Sequence, residues 1–267
     1  MSSLQDVQSW PDDRGLPISQ VGITGLRFPV SVWGRDQGKQ MTVAEIAMSV
    51  GLAADVKGTH LSRFLEILNT DVGELTYQAI PATLMIMRRR LGSQNAQLSI
   101  RFPYFLPRRA PVTGATALMD YACEFRSSLT DDTVTFSVVV SVPVTSVCPC
   151  SKAISDYGAH NQRGVITMEA WPRREDDGFA PLWIEDLVEM AESSASSPVY
   201  PLLKRADERY VTMRGYDHPV FVEDMVRSTA SLLAADQRVA DFAVEAVNDE
   251  SIHNHGAYAR IERRQPG

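Results

Sequence analysis

The chain has 267 residues, of which 44% are hydrophobic and 22% charged, and this composition excludes a disordered, collagen-like or coiled-coil protein. Its net charge of −7 argues against general nucleic-acid binding, because such proteins carry excess positive charge. No apolar stretch approaches the roughly 20 residues of a membrane span, and the polar first fifteen residues do not resemble a secretory signal. We therefore expect a cytoplasmic protein that binds neither nucleic acid nor membrane.

The first half of the chain has a hydrophobic pattern of two strands, two helices and two further strands, after a flexible tail predicted over residues 1–16. Alternating apolar residues predict the strands near 26–32, 44–50, 96–102 and 119–125. Helical spacing predicts one helix over 61–68 and another from about Glu74 to Leu91. Gly92 suits the C′ position that ends the second helix.

The second half repeats this order. Alternation predicts strands at 134–144, 164–170, 242–246 and 257–261. Helical spacing predicts helices near 182–191 and 222–233. The chain therefore reads as an α+β protein built from two ββααββ modules, 17–130 and 131–267, joined near Ser128–Asp132.

Each such module has a four-stranded antiparallel sheet with two open edges. Exposed edges favour pairing with another chain. We therefore expect the two sheets to form part of a barrel that identical copies of the chain complete by oligomerisation.

The stretch from Ser146 to Gly164 is the first candidate site. Cys148 and Cys150 are expected on one face of an extended segment, and His160 follows Cys148 by twelve residues. A thiolate and an imidazole are good ligands for zinc or a similar divalent metal. An odd count of three cysteines argues against a disulfide framework. A buried cysteine pair beside a surface histidine is the alternative.

Two carboxylates form a second candidate group. Glu208 lies in a charged stretch predicted as a turn, and Glu223 lies at the apolar boundary of the following helix. A carboxylate in a pocket can accept two N–H bonds from a planar edge such as that of guanine. A solvated or salt-bridged carboxylate is the alternative for each.

Lys57, His60 and Arg63 surround the start of a predicted helix. Cations and free backbone N–H groups at a helix N-terminus favour an anion, although an ordinary helix cap with solvated charges would have the same sequence. His253 and His255 lie between the last two strands. They could be ligands, proton-transfer groups or a polar hairpin tip.

Five motifs together resemble the GTP cyclohydrolase IB family and occur in its order: GITGLRFPV, KGTHLSRFLE, SVCPCSKAISDYGAHNQRG, FVEDMVR and NDESIHNHGAYA. The resemblance implies the tunnelling fold and a homotetramer with active sites between subunits. It also implies conversion of GTP and water to 7,8-dihydroneopterin triphosphate and formate. This reaction begins folate-type pterin synthesis and, in many bacteria, deazapurine tRNA modification.

The resemblance also implies roles for individual residues. The implied ligands of a divalent metal (Zn²⁺, Mn²⁺ or Fe²⁺) are Cys148, His160 and Glu208, of which the first two are also catalytic. The implied substrate-binding residues are Glu223 for guanine and, for the triphosphate, Lys57, His60 and Arg63. His253 and His255 match a family motif without an assigned role.

Two other functions are compatible with the sequence. A nitrile reductase of deazapurine synthesis also combines a tandem module with a cysteine, but it requires NADPH. A non-catalytic oligomer that binds metal or nucleotide would use the same residues without turnover.

Overall fold

The computed structural model describes residues 5–71, 79–176 and 178–264. The strands are β1 (Ile18–Gly34), β2 (Gly38–Leu52), β3 (Ala96–Arg109), β4 (Thr116–Thr130), β5 (Thr133–Val147), β6 (Asn161–Pro172), β7 (Arg174–Glu175), β8 (Gly178–Phe179), β9 (Ser197–Pro198), β10 (Val239–Asp249) and β11 (Ala257–Arg263). The α-helices are α1 (Ser62–Asp71), α2 (Ile80–Leu91), α3 (Pro149–Ile154), α4 (Ile184–Ser193), α5 (Arg205–Asp217) and α6 (Val222–Ala235). None of these described helices combines the length and apolar character needed to cross a membrane.

The chain forms two compact units, each assembled from two segments. The first contains Met1–Phe102 and Glu124–Ser137, and the second contains Pro103–Cys123 and Val138–Gly267. Strands β3, β4 and β5 contribute residues to both units because they are long. The modules 17–130 and 131–267 follow chain order instead, and they remain a prediction about the repeat.

The first unit has the strand order β1-β2-β3-β4-β5. Alternate residues of β2 are buried from Ala44 to Leu52, as the apolar pattern predicts, and α2 packs against this strand. Gly92 ends α2 with a φ of 64°, and its N–H reaches the carbonyls of Arg88 and Arg89, so the predicted C′ position is confirmed. The predicted start of this helix at Glu74 lies outside the described residues, which resume at Ala79.

The second unit has the strand order β3-β4-β5-β6-β10-β11, with the short β9 beside β5. Helix α6 packs on β10 and β11, and α4 packs on α6. Their buried faces carry Leu187, Val188, Met225 and Leu233. The hydrophobic spacing therefore predicts both helices correctly.

Helix α5 replaces the charged turn predicted around Glu208, so that expectation was wrong. Its sequence mixes charged residues with few apolar ones, and it therefore lacks the apolar stripe by which a helix is recognised. The local signal is Asp207 in the first turn, whose carboxylate accepts the Lys204 N–H at 2.9 Å.

Asp207 also fixes α5 to the connection between β3 and β4. Its carboxylate is buried and accepts the N–H groups of Val112 at 2.8 Å and Thr113 at 2.9 Å, and the Thr113 hydroxyl at 2.6 Å. Burial by itself would raise the pKa of Asp207. The hydrogen bonds outweigh burial and hold this pKa well below its usual value.

Replacing Asp207 by asparagine should lower the melting temperature in a pH-dependent way. A lowered folded-state pKa adds stability above the unfolded-state pKa near 4, and this stability disappears as the pH falls through the folded-state value. We therefore expect a clear loss in melting temperature at pH 7 that shrinks below about pH 4. Asp156→Asn, at an exposed position, is the control. An equal loss at every pH would contradict this account.

Candidate functional site

The β5–β6 ladder brings Cys148 and His160 together. Val147 pairs with Asn161 at the end of the ladder. One residue further along each strand, the Cys148 N–H donates to the His160 carbonyl at 3.1 Å. The two candidate ligands are therefore cross-strand neighbours, although eleven residues separate them in the chain.

Cys148 is the residue at which the chain leaves β5 and enters α3. It has extended backbone angles, its Sγ accepts the Ser151 N–H at 3.4 Å, and Pro149 begins the helix. Cys150 therefore lies in the first helical turn and is exposed, whereas Cys148 is half-buried. The expectation that both thiols share one face of an extended segment was wrong, because proline at N1 favours a helix start.

His160 has two polar partners on the Nδ1 side of its ring. Gln162 Oε1 lies 2.9 Å from Nδ1, and Glu250 Oε2 lies 3.9 Å from it. The side chains of His160 and Glu250 are only 14% and 13% exposed. Glu250 follows β10, whose last residue, Asp249, pairs with Arg163 of β6. Glu250 and His160 are ninety positions apart in the chain, so their proximity depends on the register between β6 and β10.

The donor set around Cys148 suits a borderline divalent cation, because it offers one sulfur and one imidazole nitrogen. In the part of the chain that the structure describes, no group of three or more His, Cys, Asp or Glu side chains is arranged to hold a metal. Glu208 lies on α5 with an exposed side chain. The single chain therefore brings two of the three predicted ligands together.

The other candidate residues of the second unit are exposed. Glu223 is the second residue of α6 and lies next to the buried Val222, so its side chain is not at the half-buried position predicted. The rings of His253 and His255 stack with centroids 5.2 Å apart. These three side chains are accessible to a ligand or a second subunit.

In the first unit, His60 and Arg63 line a cavity of about 310 Å³ at the start of α1. Nε2 of His60 lies 3.2 Å from Asp6 Oδ2. Nζ of Lys57 lies 5.2 Å from the centre of the Trp10 ring. The three cations predicted to bind an anion thus lie in one region, and the N-terminal segment supplies partners for two of them.

The described part of the predicted tail packs on residues 55–60. Gln8 Nε2 donates to the Thr59 carbonyl at 3.0 Å, and the Lys57 N–H donates to the Trp10 carbonyl at 3.2 Å. Hydrogen bonds of this kind cannot be predicted from composition, which indicates only a mobile segment.

Comparison with known proteins identifies the family. A family model described as "Type I GTP cyclohydrolase folE2" matches residues 4–259. The chain belongs to this family. GTP cyclohydrolase FolE2 of Pelobacter propionicus is 48% identical over 264 residues, covering 99% of this chain and 100% of that protein. The FolE2 protein of Methylococcus capsulatus is 50% identical over 261 residues, covering 98% and 95%. The predicted family is confirmed.

Solved structures of urate oxidases share the fold of this chain. A mutant of Bacillus sp. TB-90 urate oxidase has a TM-score of 0.53 at 8% identity, covering 93% of this chain and 100% of that one. Uricase from Arthrobacter globiformis has a TM-score of 0.50 at 6% identity, covering 93% and 95%. The predicted α+β tunnelling fold is confirmed.

Proposed function

We propose that this protein is a GTP cyclohydrolase that opens the imidazole ring of GTP by hydrolysis at C8. The products are formate and 7,8-dihydroneopterin triphosphate. The second product is the starting compound of folate-type pterin synthesis and of deazapurine tRNA modification. Family membership supports this reaction, and the cross-strand pair of Cys148 and His160 is the observation that supports its location. A cytoplasmic location remains a prediction.

Cys148 and His160 are the proposed metal ligands, with Glu208 as the third. Glu208 is exposed on α5, so it is accessible to a metal held between the subunits of the expected homotetramer. Bound there, Zn²⁺, Mn²⁺ or Fe²⁺ would supply Lewis-acid activation of water. Mixed sulfur, nitrogen and oxygen ligation does not distinguish these three metals.

Glu223 is proposed to hold the guanine. An ionised carboxylate can accept both the N1–H and the 2-amino N–H of guanine, and this pairing fixes the direction in which C8 points. Hydration, ring opening and loss of formate each move protons. Imidazoles carry out such transfers well because they can gain and lose a proton near neutral pH. The proposed proton-transfer group is His160 or another imidazole, and the second applies once both ring nitrogens of His160 are engaged.

Lys57, His60 and Arg63 are proposed to bind the triphosphate in a homotetramer. Strand β1 pairs on one side with β2, and β11 pairs on one side with β10. Each is therefore the terminal strand in its own unit. Terminal strands are suited to pairing with a second copy, and this supports active sites completed between subunits.

Asp6 should oppose triphosphate binding, because its carboxylate lies 3.2 Å from the His60 ring. Asp6→Asn removes this charge, and we expect the KM for GTP to fall about two- to fivefold, the range of an exposed ion pair. The effect should weaken with added salt. Asp13→Asn removes the same charge elsewhere on the segment and serves as the control. An unchanged KM for Asp6→Asn would argue against anion binding at His60.

The decisive experiment is a formate assay with purified protein, added divalent metal and GTP. A GTP cyclohydrolase releases one formate for each GTP consumed. GTP binding without formate would instead indicate a non-catalytic oligomer. Oxidation of NADPH in the presence of a nitrile substrate would indicate a nitrile reductase.

A further inference from the structure

Three polar groups form a continuous hydrogen-bonded series behind His160. The Ser146 hydroxyl donates to the Val220 carbonyl at 2.9 Å. Gln162 Nε2 donates to Ser146 Oγ at 3.3 Å, and Gln162 Oε1 lies 2.9 Å from His160 Nδ1. Ser146 is fully buried and Gln162 is 7% exposed, so water does not compete freely for these groups.

Strand register explains why these side chains meet. Ser146 and Gln162 form a cross-strand pair in the β5–β6 ladder. Cys148 and His160 lie one residue beyond the last pair of this ladder, Val147 with Asn161, and Cys148 keeps extended backbone angles. Because side chains alternate with a period of two, both couples face the same side of the sheet.

The hydrogen bond between Ser146 and the Val220 carbonyl fixes the direction of the other two. A carbonyl can only accept, so the Ser146 hydroxyl must donate to Val220. Its oxygen then accepts from the amide nitrogen of Gln162, and this turns the amide oxygen towards His160. An amide oxygen can only accept, so Nδ1 of His160 must carry the proton. In the neutral ring, Nε2 is left with its lone pair.

We propose that Gln162, oriented by Ser146, is a positioning residue that holds His160 as the Nδ1–H tautomer and presents Nε2 to the metal. This inference rests on the proposed function for its metal and adds residues to that site. The Glu250 carboxylate, 3.9 Å from Nδ1, favours the same tautomer because a negative charge attracts the N–H. Partners of this kind fix the orientation of ligating histidines in metal sites.

The test measures tautomer and metal affinity separately. In metal-free protein labelled with ¹⁵N and held above pH 8, the His160 ring nitrogens should report Nδ1–H in the wild type and a mixture of tautomers in Gln162→Leu. The affinity for Zn²⁺, measured by competition with a chelator, should fall about 10- to 100-fold in this variant. Gln162→Glu keeps an acceptor towards Nδ1, and it should retain the Nδ1–H form and most of the affinity.

A purely structural role would lower the stability of both variants without changing the tautomer. Retention of Nδ1–H and of wild-type Zn²⁺ affinity in Gln162→Leu would overturn the proposal. If Gln162→Leu does not fold, Ser146→Ala is measured instead. Loss of the Ser146 hydroxyl removes the group that orients the Gln162 amide, so the Nδ1–H form of His160 should no longer be the single tautomer. Unchanged Nδ1–H in Ser146→Ala would then overturn the proposal. Formate release by the wild type is read independently, so failure of the proposed function is distinguishable.

Discussion

Replacing Cys148 by alanine is expected to abolish formate release from GTP while leaving the fold intact. The variant loses the only sulfur of the proposed ligand set, and metal activation of water contributes several kcal/mol to such reactions. We therefore expect a fall in kcat of at least about a thousandfold. Formate release and bound metal per chain are the two measurements.

Cys150→Ala is the matched control for this variant. It removes a thiol two residues away that is exposed in the first turn of α3, and it should retain its metal and its turnover. A melting curve of Cys148→Ala close to that of the wild type would exclude unfolding as the cause of inactivity. Wild-type turnover in Cys148→Ala would remove this residue from the mechanism.

Replacing Glu223 by glutamine should weaken GTP binding more than it changes metal content. Glutamine keeps one acceptor oxygen but presents an NH₂ group to a guanine N–H, so one hydrogen bond is lost and two donors face each other. Loss of a hydrogen bond to a charged group costs about 1.5–3 kcal/mol, which corresponds to a roughly 10- to 100-fold rise in KM.

Glu175→Gln changes the same type of side chain at an exposed position in β7, and it should leave the KM unchanged. Metal content measured on both variants separates guanine recognition from damage to the metal site. An unaltered KM in Glu223→Gln would refute the guanine-anchor role.

The elements with a periodic apolar face are those the sequence predicts well. In strand β5, at least every second residue from Val134 onward is buried. Gly92 adopts the left-handed conformation that its position at the end of α2 requires. Helix α5 was not predicted because its stability depends on the Asp207 contacts with residues distant in the chain. Hydrophobic periodicity does not predict contacts between residues that are distant in the chain.

Only part of the candidate site was predicted, because some of its contacts also join residues that are distant in the chain. Cys148 and His160 are close in sequence and share one hairpin, so a local motif identifies them. Glu250 was missed because only the β6–β10 register brings it to His160. In the sequence, Glu250 lies among other polar residues close to His253 and His255, and a carboxylate there gives no separate signal.

The location of Cys148 and His160 at the end of the β5–β6 ladder makes the proposed site depend on the alignment of these two strands. Sliding either strand by one residue would send alternate side chains to the opposite face. The Ser146–Gln162 pair and the Cys148–His160 pair would then be broken together. Insertions in the connecting segment, by contrast, would leave the ladder in place. Deletion and insertion scanning should therefore find the two strands intolerant to length changes and the intervening segment more permissive.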